Sequence, residues 1–405
     1  MSRHRIAWLP GDGIGPDVCA AARTVLDAAG FEADYLEGDI GWEFWCKEGD
    51  ALPRRTLDLL KKTDCAFFGA ITSKPGPDAA RELAPNLRGQ GLRYRSPIIR
   101  MRQMLDLYVC MRPCRAFRGN PLNYRDNIDL VVFRENTEGM YIGVEFPEVP
   151  ESFRLEPGME RIPRDAAISL RSVTREASQR IVEAAFQFAV RHRRRKVTAV
   201  HKANVLRATC GLFLEVAQQV AARHPEIPFE TANVDAMAMW LVKNPENYDV
   251  IVTTNLFGDI LSDLCAQLVG GMGFAYSGNL GARYAVFEPT HGSAPKYAGM
   301  NKVNPIAAIL AAQMMAGWLG ETVIANRIEN AVAEVIAHGS LRTYDMGGHA
   351  GTMDVAHGVA RELCLSHTAT EDQVNMRATL AQRIDGHGSK IEEMAGTGVI
   401  DAQGG

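Results

Sequence analysis

The chain reads as an α/β protein built on a largely parallel sheet. Three observations predict this. Short apolar runs such as Cys65 to Ala70 and Val250 to Val252 have the content of buried strands. Stretches of helical periodicity, among them 172–190 and 306–318, fall between such runs. Glycine, proline and asparagine mark many of the junctions. Strands and helices that alternate in this way pack as helical layers on a parallel sheet. At 405 residues the chain is too long for one simple core, so two or three domains are expected.

Taken in order, Arg5 to Leu9 is the first strand, Pro10 to Pro16 (PGDGIGP) a tight loop, and Asp17 to Ala29 a helix. A glycine loop between strand and helix is a usual cradle for a phosphate-bearing ligand. The spacing here is GxGxG rather than GxGxxG, which disfavours a standard Rossmann site, and a plain turn is the simpler reading of the loop alone. Helix 56–64 leads to strand Cys65 to Ala70. Ile71 to Leu92, rich in Gly, Pro and polar residues, reads as a loop beside the sheet edge. A helix begins near Arg95, and Leu107 to Pro113 is a strand ending at Arg112. Asp129 to Arg134 is a further strand that runs into Glu135 to Tyr141 (ENTEGMY). Arg102, Arg112 and Arg134 thus fall at the ends of separate elements. Single arginines are usually surface solubilisers. Three near glycine turns can converge on a ligand with several carboxylates, since guanidinium pairs with carboxylate through two hydrogen bonds.

Residues 146–165 form a Pro- and Glu-rich insertion, suited to an arm or a subunit contact. The helix over 172–190 closes on a basic run, Arg191 to Lys196. A nucleic-acid surface is one reading of that run. A solvated helix C-terminus, where cations complement the dipole, is the better one in a short run on an acidic chain. Strand Val197 to Val200 delivers Lys202 and Asn204, placed to act as a base or carboxylate partner. Glu230 to Asn233 is a strand, with Asp235 at its junction with the next helix. Then Val250 to Val252 turns through Thr253 to Asn255 into a helix carrying Asp259 and Asp263. Four residues apart, these two share a helix face. Paired carboxylates past a strand end suit a hard dication with oxygen ligands, although an isolated D-x-x-x-D is more often two solvent-facing acids. Ala285 to Phe287 leads into Glu288 to Gly299 (EPTHGSAPKYAG), and Asn304-Pro305 opens the apolar helix 306–318. Another helix spans 322–337, and from about Ser366 the sequence is polar and uneven.

Composition excludes several classes. A net charge of −4 gives no reason to expect nucleic acid or an anionic membrane as a partner. Eight scattered cysteines without a metal-ligand pattern read as reduced thiols of a cytosolic-type compartment, and no leader or membrane-spanning run is expected. A cytoplasmic location follows as the expectation.

In combination, GDGIGP, the Arg112-Pro113 pair, FRENTEGMY, HKANVL, NLFGDILSDL and EPTHGSAPKYAG resemble the isocitrate/isopropylmalate dehydrogenase family across residues 5–365. The resemblance implies a non-Rossmann α/β fold with an active-site cleft between two domains. A large cofactor-binding domain would comprise 1–107 and 268–365, and a small substrate, metal and dimerisation domain 108–267, with an arm near 141–175 and a tail over 366–405. It implies oxidation of the 2-hydroxyl of a 3-substituted malate, a small hydroxy di- or tricarboxylic acid, by NAD or NADP. Decarboxylation with Mg2+ or Mn2+ would follow, in a homodimer or higher homo-oligomer whose subunits share each active site.

Carried onto this sequence, the resemblance implies that Asp259 and Asp263 bind the metal with Asp235 of the other subunit. It implies that Lys202 helps deprotonate the 2-hydroxyl and that Tyr141 protonates the enol. Arg102, Arg112 and Arg134 match the carboxylate clamp, with Ser96, Ile98 and Asn204 beside the substrate. Ile14, Thr72, His291, Gly292, Ser293, Ala294, Lys296, Tyr297, Asn304 and Tyr344 match the cofactor site. Lys296 and Tyr297 replace the acid that grips the ribose in NAD members, which favours NADP, and Tyr344 agrees, although 345–348 lacks the arginine some NADP members use. Ser96 suits isocitrate, while Ile98, Ile99 and Val205 suit an isopropyl group. Arg95 and Arg100 could take a distal carboxylate. Isocitrate is the leading expectation, with 3-isopropylmalate, homoisocitrate and tartrate or malate as alternatives. A non-catalytic regulatory subunit is the alternative of another class.

Overall fold

The computed structural model describes residues 3–365, and the tail reading from Ser366 lies outside the described residues. The chain begins β1 (His4–Gly11), α1 (Gly15–Ala28), β2 (Ala33–Glu37), α2 (Trp42–Glu48), α3 (Arg54–Leu60), β3 (Cys65–Ala70), α4 (Gly76–Arg81), α5 (Pro97–Met104), β4 (Val109–Arg115) and β5 (Asp129–Glu135). A two-stranded ribbon, β6 (Glu145–Phe146) with β7 (Ile168–Ser169), brackets two short 3₁₀ turns in the Pro- and Glu-rich insertion. Then come α6 (Arg175–Arg191), β8 (Val197–His201), α7 (Thr209–Ala221), β9 (Phe229–Asn233), α8 (Val234–Lys243), β10 (Val250–Thr253) and α9 (Asn255–Gln267). The series ends with β11 (Tyr276–Leu280), β12 (Ala285–Pro289), α10 (Ile306–Trp318), α11 (Thr322–His338) and a helix over 352–365.

Ten strands form one sheet in the order β2-β1-β3-β12-β11-β4-β5-β10-β8-β9. Pairing is parallel on both flanks, β2-β1-β3-β12 and β5-β10-β8-β9. It is antiparallel through β12-β11-β4-β5 in the middle. The expected α/β class with a parallel-dominated sheet is therefore what the chain forms. β3 is buried at every residue and reads as a continuous apolar run because helices cover both faces. The helix α10 is apolar all round for the same reason: it lies between the sheet, α1 and α11. Two further apolar clusters flank β5, β8 and β10, one with α6 and α7, the other with α8 and α9. No helix among the described residues is long and apolar enough to cross a membrane.

Three readings need correction. The segment 71–92 is not all loop, because Gly76–Arg81 turns into α4, whose Ala79 carbonyl accepts the Trp45 indole N–H at 2.9 Å. Arg112 does not end a strand. It is the fourth residue of β4, which continues to Arg115 because Pro113 needs no N–H where it pairs with Val131. The basic run is not a free solvated cap either. Arg194 binds Asp129 and the buried Asp249, and Arg195 donates to the carbonyls of Glu246 and Tyr248, so the run braces α6 against β5 and β10.

Candidate active site

The strand–helix junction at β10–α9 places the acids. Val250–Thr253 is buried throughout, and α9 starts at Asn255 with its polar face toward β4 and β5. Asp259 and Asp263, one turn apart, both approach Nη1 of Arg112, at 3.6 and 3.1 Å. The same guanidinium nitrogen donates to Ser262 Oγ at 2.7 Å, while Arg112 Nε is buried without a partner. Arg134 reaches Oδ1 of Asp259, and its Nε and Nη2 both donate to Asn255 Oδ1, at 3.0 and 2.7 Å. Tyr141, on a one-turn 3₁₀ helix (Met140–Ile142), donates its hydroxyl to Asp259 Oδ2. Arg102 is held from the other side, by Asn279 Oδ1 at 2.9 Å and Glu288 Oε1 at 3.1 Å.

Exposures of 6%, 8% and 1% for Arg102, Arg112 and Arg134 mark these as buried cations rather than surface arginines. Such groups are rare unless paired. Burial alone would raise the Asp259 carboxyl, but Arg134 and Arg112, with the Tyr141 hydroxyl, hold it below the ordinary carboxylate range. Burial raises Asp263, against the pull of Arg112 and with Asp259 adding to the rise. Tyr141 is pushed up by burial and then by its bond to Asp259, so its proton is firmly held.

A cavity of about 220 Å³ is lined by Arg102 and Arg112 together with Ser96, Ile98, Ser73, Ile71 and Glu288. His291 and Gly292 line it too, and they also line a second crevice of about 420 Å³ with Ile14, Ala294, Tyr297, Asn304, Tyr344 and Asp345. The PGDGIGP loop closes on the HGSAP loop there. Ile14 N donates to the Ser293 carbonyl at 2.9 Å, and an added Cβ on Gly13 would lie 2.0 Å from that oxygen. Thr72 and Ser293 join through their hydroxyls at 2.6 Å. Tyr297 and Tyr344 stand 5.4 Å apart, with the Lys302 ammonium over both rings, at 5.3 and 5.0 Å, and Lys296 over Tyr297 at 4.8 Å. Asn304 donates to Asp345 at 3.0 Å. Burial depresses the His291 imidazole, whose Nε2 has no partner.

Other residues singled out from sequence lie elsewhere. The Lys202 ammonium pairs with Asp235, whose carboxyl it holds low. Among the described residues no group of three His, Cys, Asp or Glu side chains could hold a metal, so Asp235 does not join Asp259 and Asp263 within one chain. Asn204 and Val205 are exposed, Val205 at 64%, so Val205 forms no wall with Ile98 here. Arg100 is tied to Asp50, which removes it as a free partner for a distal carboxylate. Asn255 and Ser262, interleaved with the two acids in the sequence, bond the arginines here, whereas Asn279, Glu288 and Lys302 were not singled out. Glu288 heads the EPTHGSAP run, and Asn255 opens a helix after a buried strand, which are signals of a kind. Asn279, inside β11, carries none.

Buried arginines thus stand against paired acids, beside a crevice formed by glycine-rich loops. The sequence matches the profile described as isocitrate/isopropylmalate dehydrogenase over residues 5–359. It is 42% identical to 3-isopropylmalate dehydrogenase of Archaeoglobus fulgidus over 88% of this chain and 98% of that one. It is 40% identical to protein DlpA of Legionella pneumophila over 88% of this chain, which spans 58% of that protein's length. The crystal structure of isocitrate dehydrogenase from Methylococcus capsulatus superposes with a TM-score of 0.79 at 40% identity, covering 89% of this chain and 99% of that one. The chain belongs to the isocitrate/isopropylmalate dehydrogenase family, whose members are decarboxylating dehydrogenases.

Proposed function

We propose that this protein oxidises and decarboxylates isocitrate to 2-oxoglutarate with NADP, as a homodimer that shares its active sites. The observation that carries the reading is the cavity lined by Arg102, Arg112, Ser73 and Ser96, to which Arg112 brings a buried Nε without a partner. Guanidinium groups can hold the carboxylates that all 3-substituted malates share, and serine hydroxyls suit a polar 3-substituent. Ile71 and Ile98 in the same wall favour 3-isopropylmalate as the second reading.

Asp259 and Asp263 offer hard oxygen donors, the first firmly ionised, so the donor chemistry fits Mg2+ or Mn2+. With the partner's Asp235 as a third ligand, the ion when bound supplies Lewis acidity for the electron pair that leaving carbon dioxide would strand. Arg102, Arg112 and Arg134 hold the substrate carboxylates, with Arg134 exchanging Asp259 for substrate. The partner's Lys202, beside its Asp235, would take the 2-hydroxyl proton, and a bound nicotinamide cofactor would supply the hydride acceptor. Once carbon dioxide leaves, Tyr141 delivers its proton to C3, a role that its raised pKa suits. Neighbouring helices α8 and α9 expose Met239 (55%), Val242 (49%) and Ile260 (59%), an apolar face suited to a second copy. For NADP, the cations Lys296 and Lys302 with Tyr297 and Tyr344 fit a 2′-phosphate better than a bare ribose. Within each copy, the cofactor and substrate parts divide as 1–107 with 268–365 and 108–267.

The test is initial rates of reduced-cofactor formation with Mn2+, crossing NAD and NADP with isocitrate, homoisocitrate, 3-isopropylmalate, malate and tartrate. The reading expects the largest kcat/KM for isocitrate with NADP. A preference for 3-isopropylmalate overturns the substrate and leaves the catalytic roles standing. No turnover by folded, metal-supplied protein revives the regulatory-subunit reading.

A further inference from the structure

Every polar atom of Thr72 is engaged, each by a different part of the chain. Its N–H donates to Asp12 Oδ2 at 2.9 Å, its hydroxyl meets Ser293 Oγ at 2.6 Å, and its carbonyl accepts from the Tyr94 hydroxyl at 2.9 Å. The Tyr94 hydroxyl also lies 3.2 Å from Ser73 Oγ. The Tyr94 ring is fixed independently, 5.1 Å from the Trp42 ring and 5.4 Å from that of Trp45. Tyr94 itself lines neither the arginine cavity nor the glycine-loop crevice. It stands two residues before Ser96, which lines the cavity as Ser73 does. On its far side Thr72 bonds Ser293, whose neighbours Gly292 and Ala294 line the crevice. One hydroxyl therefore ties the segment entering the substrate cavity to the segment that supports the cofactor loop.

We propose that Tyr94 is a positioning residue that couples the two sites: engagement of substrate at Ser96 and Ser73 orders Thr72 through the Tyr94 hydroxyl, and cofactor binding at the Ser293 loop orders the substrate wall by the same route. Coupling of this kind is reciprocal between the two ligands. The proposal rests on the functional reading above. It goes beyond that reading in assigning a role to a side chain that touches neither ligand.

The experiment is titration of NADPH against the whole protein, followed by its fluorescence, with and without saturating isocitrate and Mn2+. Both ligands are in the reduced state and cannot react. In the wild type, isocitrate tightens NADPH about tenfold, within the usual range for coupled sites. In Tyr94→Phe, which keeps the ring packed on both tryptophans, the binary NADPH affinity stays within about twofold of wild type and the tightening is lost. A purely structural role predicts the opposite split, with weaker binary binding and coupling retained, and that result overturns the proposal. So does a wild type that binds both ligands without coupling. A wild type that binds neither overturns the functional reading itself.

Discussion

The hydroxyl of Tyr141 donates to Oδ2 of Asp259, so the group assigned to give a proton and a group assigned to hold the metal are already in contact. Removing the hydroxyl should strike the protonation step while leaving the arginine clamp intact. Tyr141→Phe is expected to lower kcat by about 10²–10⁴-fold with a small change in KM, as is usual for loss of a general acid. Steady-state rates with isocitrate and NADP measure it. A large rise in KM with kcat preserved would assign Tyr141 to binding instead.

Lys202 pairs with Asp235, which among the described residues forms no three-ligand group with Asp259 and Asp263. If two subunits complete each site, Lys202→Met and Asp263→Asn should each be inactive alone. Refolded together, the mixture should recover about a quarter of wild-type activity. Random pairing makes half the dimers mixed, and each of those rebuilds one intact site of its two. A mixture as silent as its components would place the whole site within one chain.

Lys296 packs on Tyr297, with Lys302 on the same ring. Lys296→Asp with Tyr297→Ile should lower kcat/KM for NADP by about 100-fold, consistent with loss of a charge-assisted phosphate contact and gain of a repulsive one. The same pair should raise kcat/KM for NAD. Unchanged cofactor preference would move the phosphate elsewhere in the crevice.

His201 is buried at the end of β8, and its Nδ1 accepts the Ala203 N–H at 3.1 Å. Burial lowers its pKa in the fold. The sign follows directly. Between the lowered folded value and the ordinary value of about 6.5, the unfolded chain carries a proton that the folded one lacks. Stability is thus complete above that ordinary value and is lost as pH falls toward the folded one. Thermal midpoints should fall from pH 7 to 5, and His201→Gln should flatten that fall. An equally steep acid limb in the variant would assign it to other groups.

Arg194 is a cation of the basic run seated directly against a buried acid. It binds the 3%-exposed carboxylate of Asp249, which without it would keep Arg195 as a partner, and weakening a buried pair from one side costs up to about 3 kcal/mol. Arg194→Ala should lower the denaturant midpoint markedly, whereas Arg193→Ala should leave it nearly unchanged.

Much of the fold was legible in the sequence because burial writes itself into local pattern. The apolar run Cys65–Ala70 and the helix Ile306–Trp318 have the bounds that their content suggests. The site was legible as motifs but not as a network. Arg102 bonds Asn279 across 177 residues, and Arg134 bonds Asn255 across 121. Contacts of that span leave no periodicity for a local window to detect. Arg112 was misplaced for a related reason: a proline after an arginine reads as a strand end, yet at this register β4 needs no N–H from it.

The sheet order has a consequence for how the chain is made. β3 pairs with β1 on one edge, but its other neighbour is β12, which begins at Ala285. At ~5–20 residues per second, that edge waits on the order of tens of seconds for the ribosome to supply its partner. The early strands emerge apolar and unpaired on one side, and contacts so distant in sequence form slowly. During synthesis the open edge of β3 is therefore exposed to unwanted strand pairing, and rapid expression should yield aggregates nucleated there.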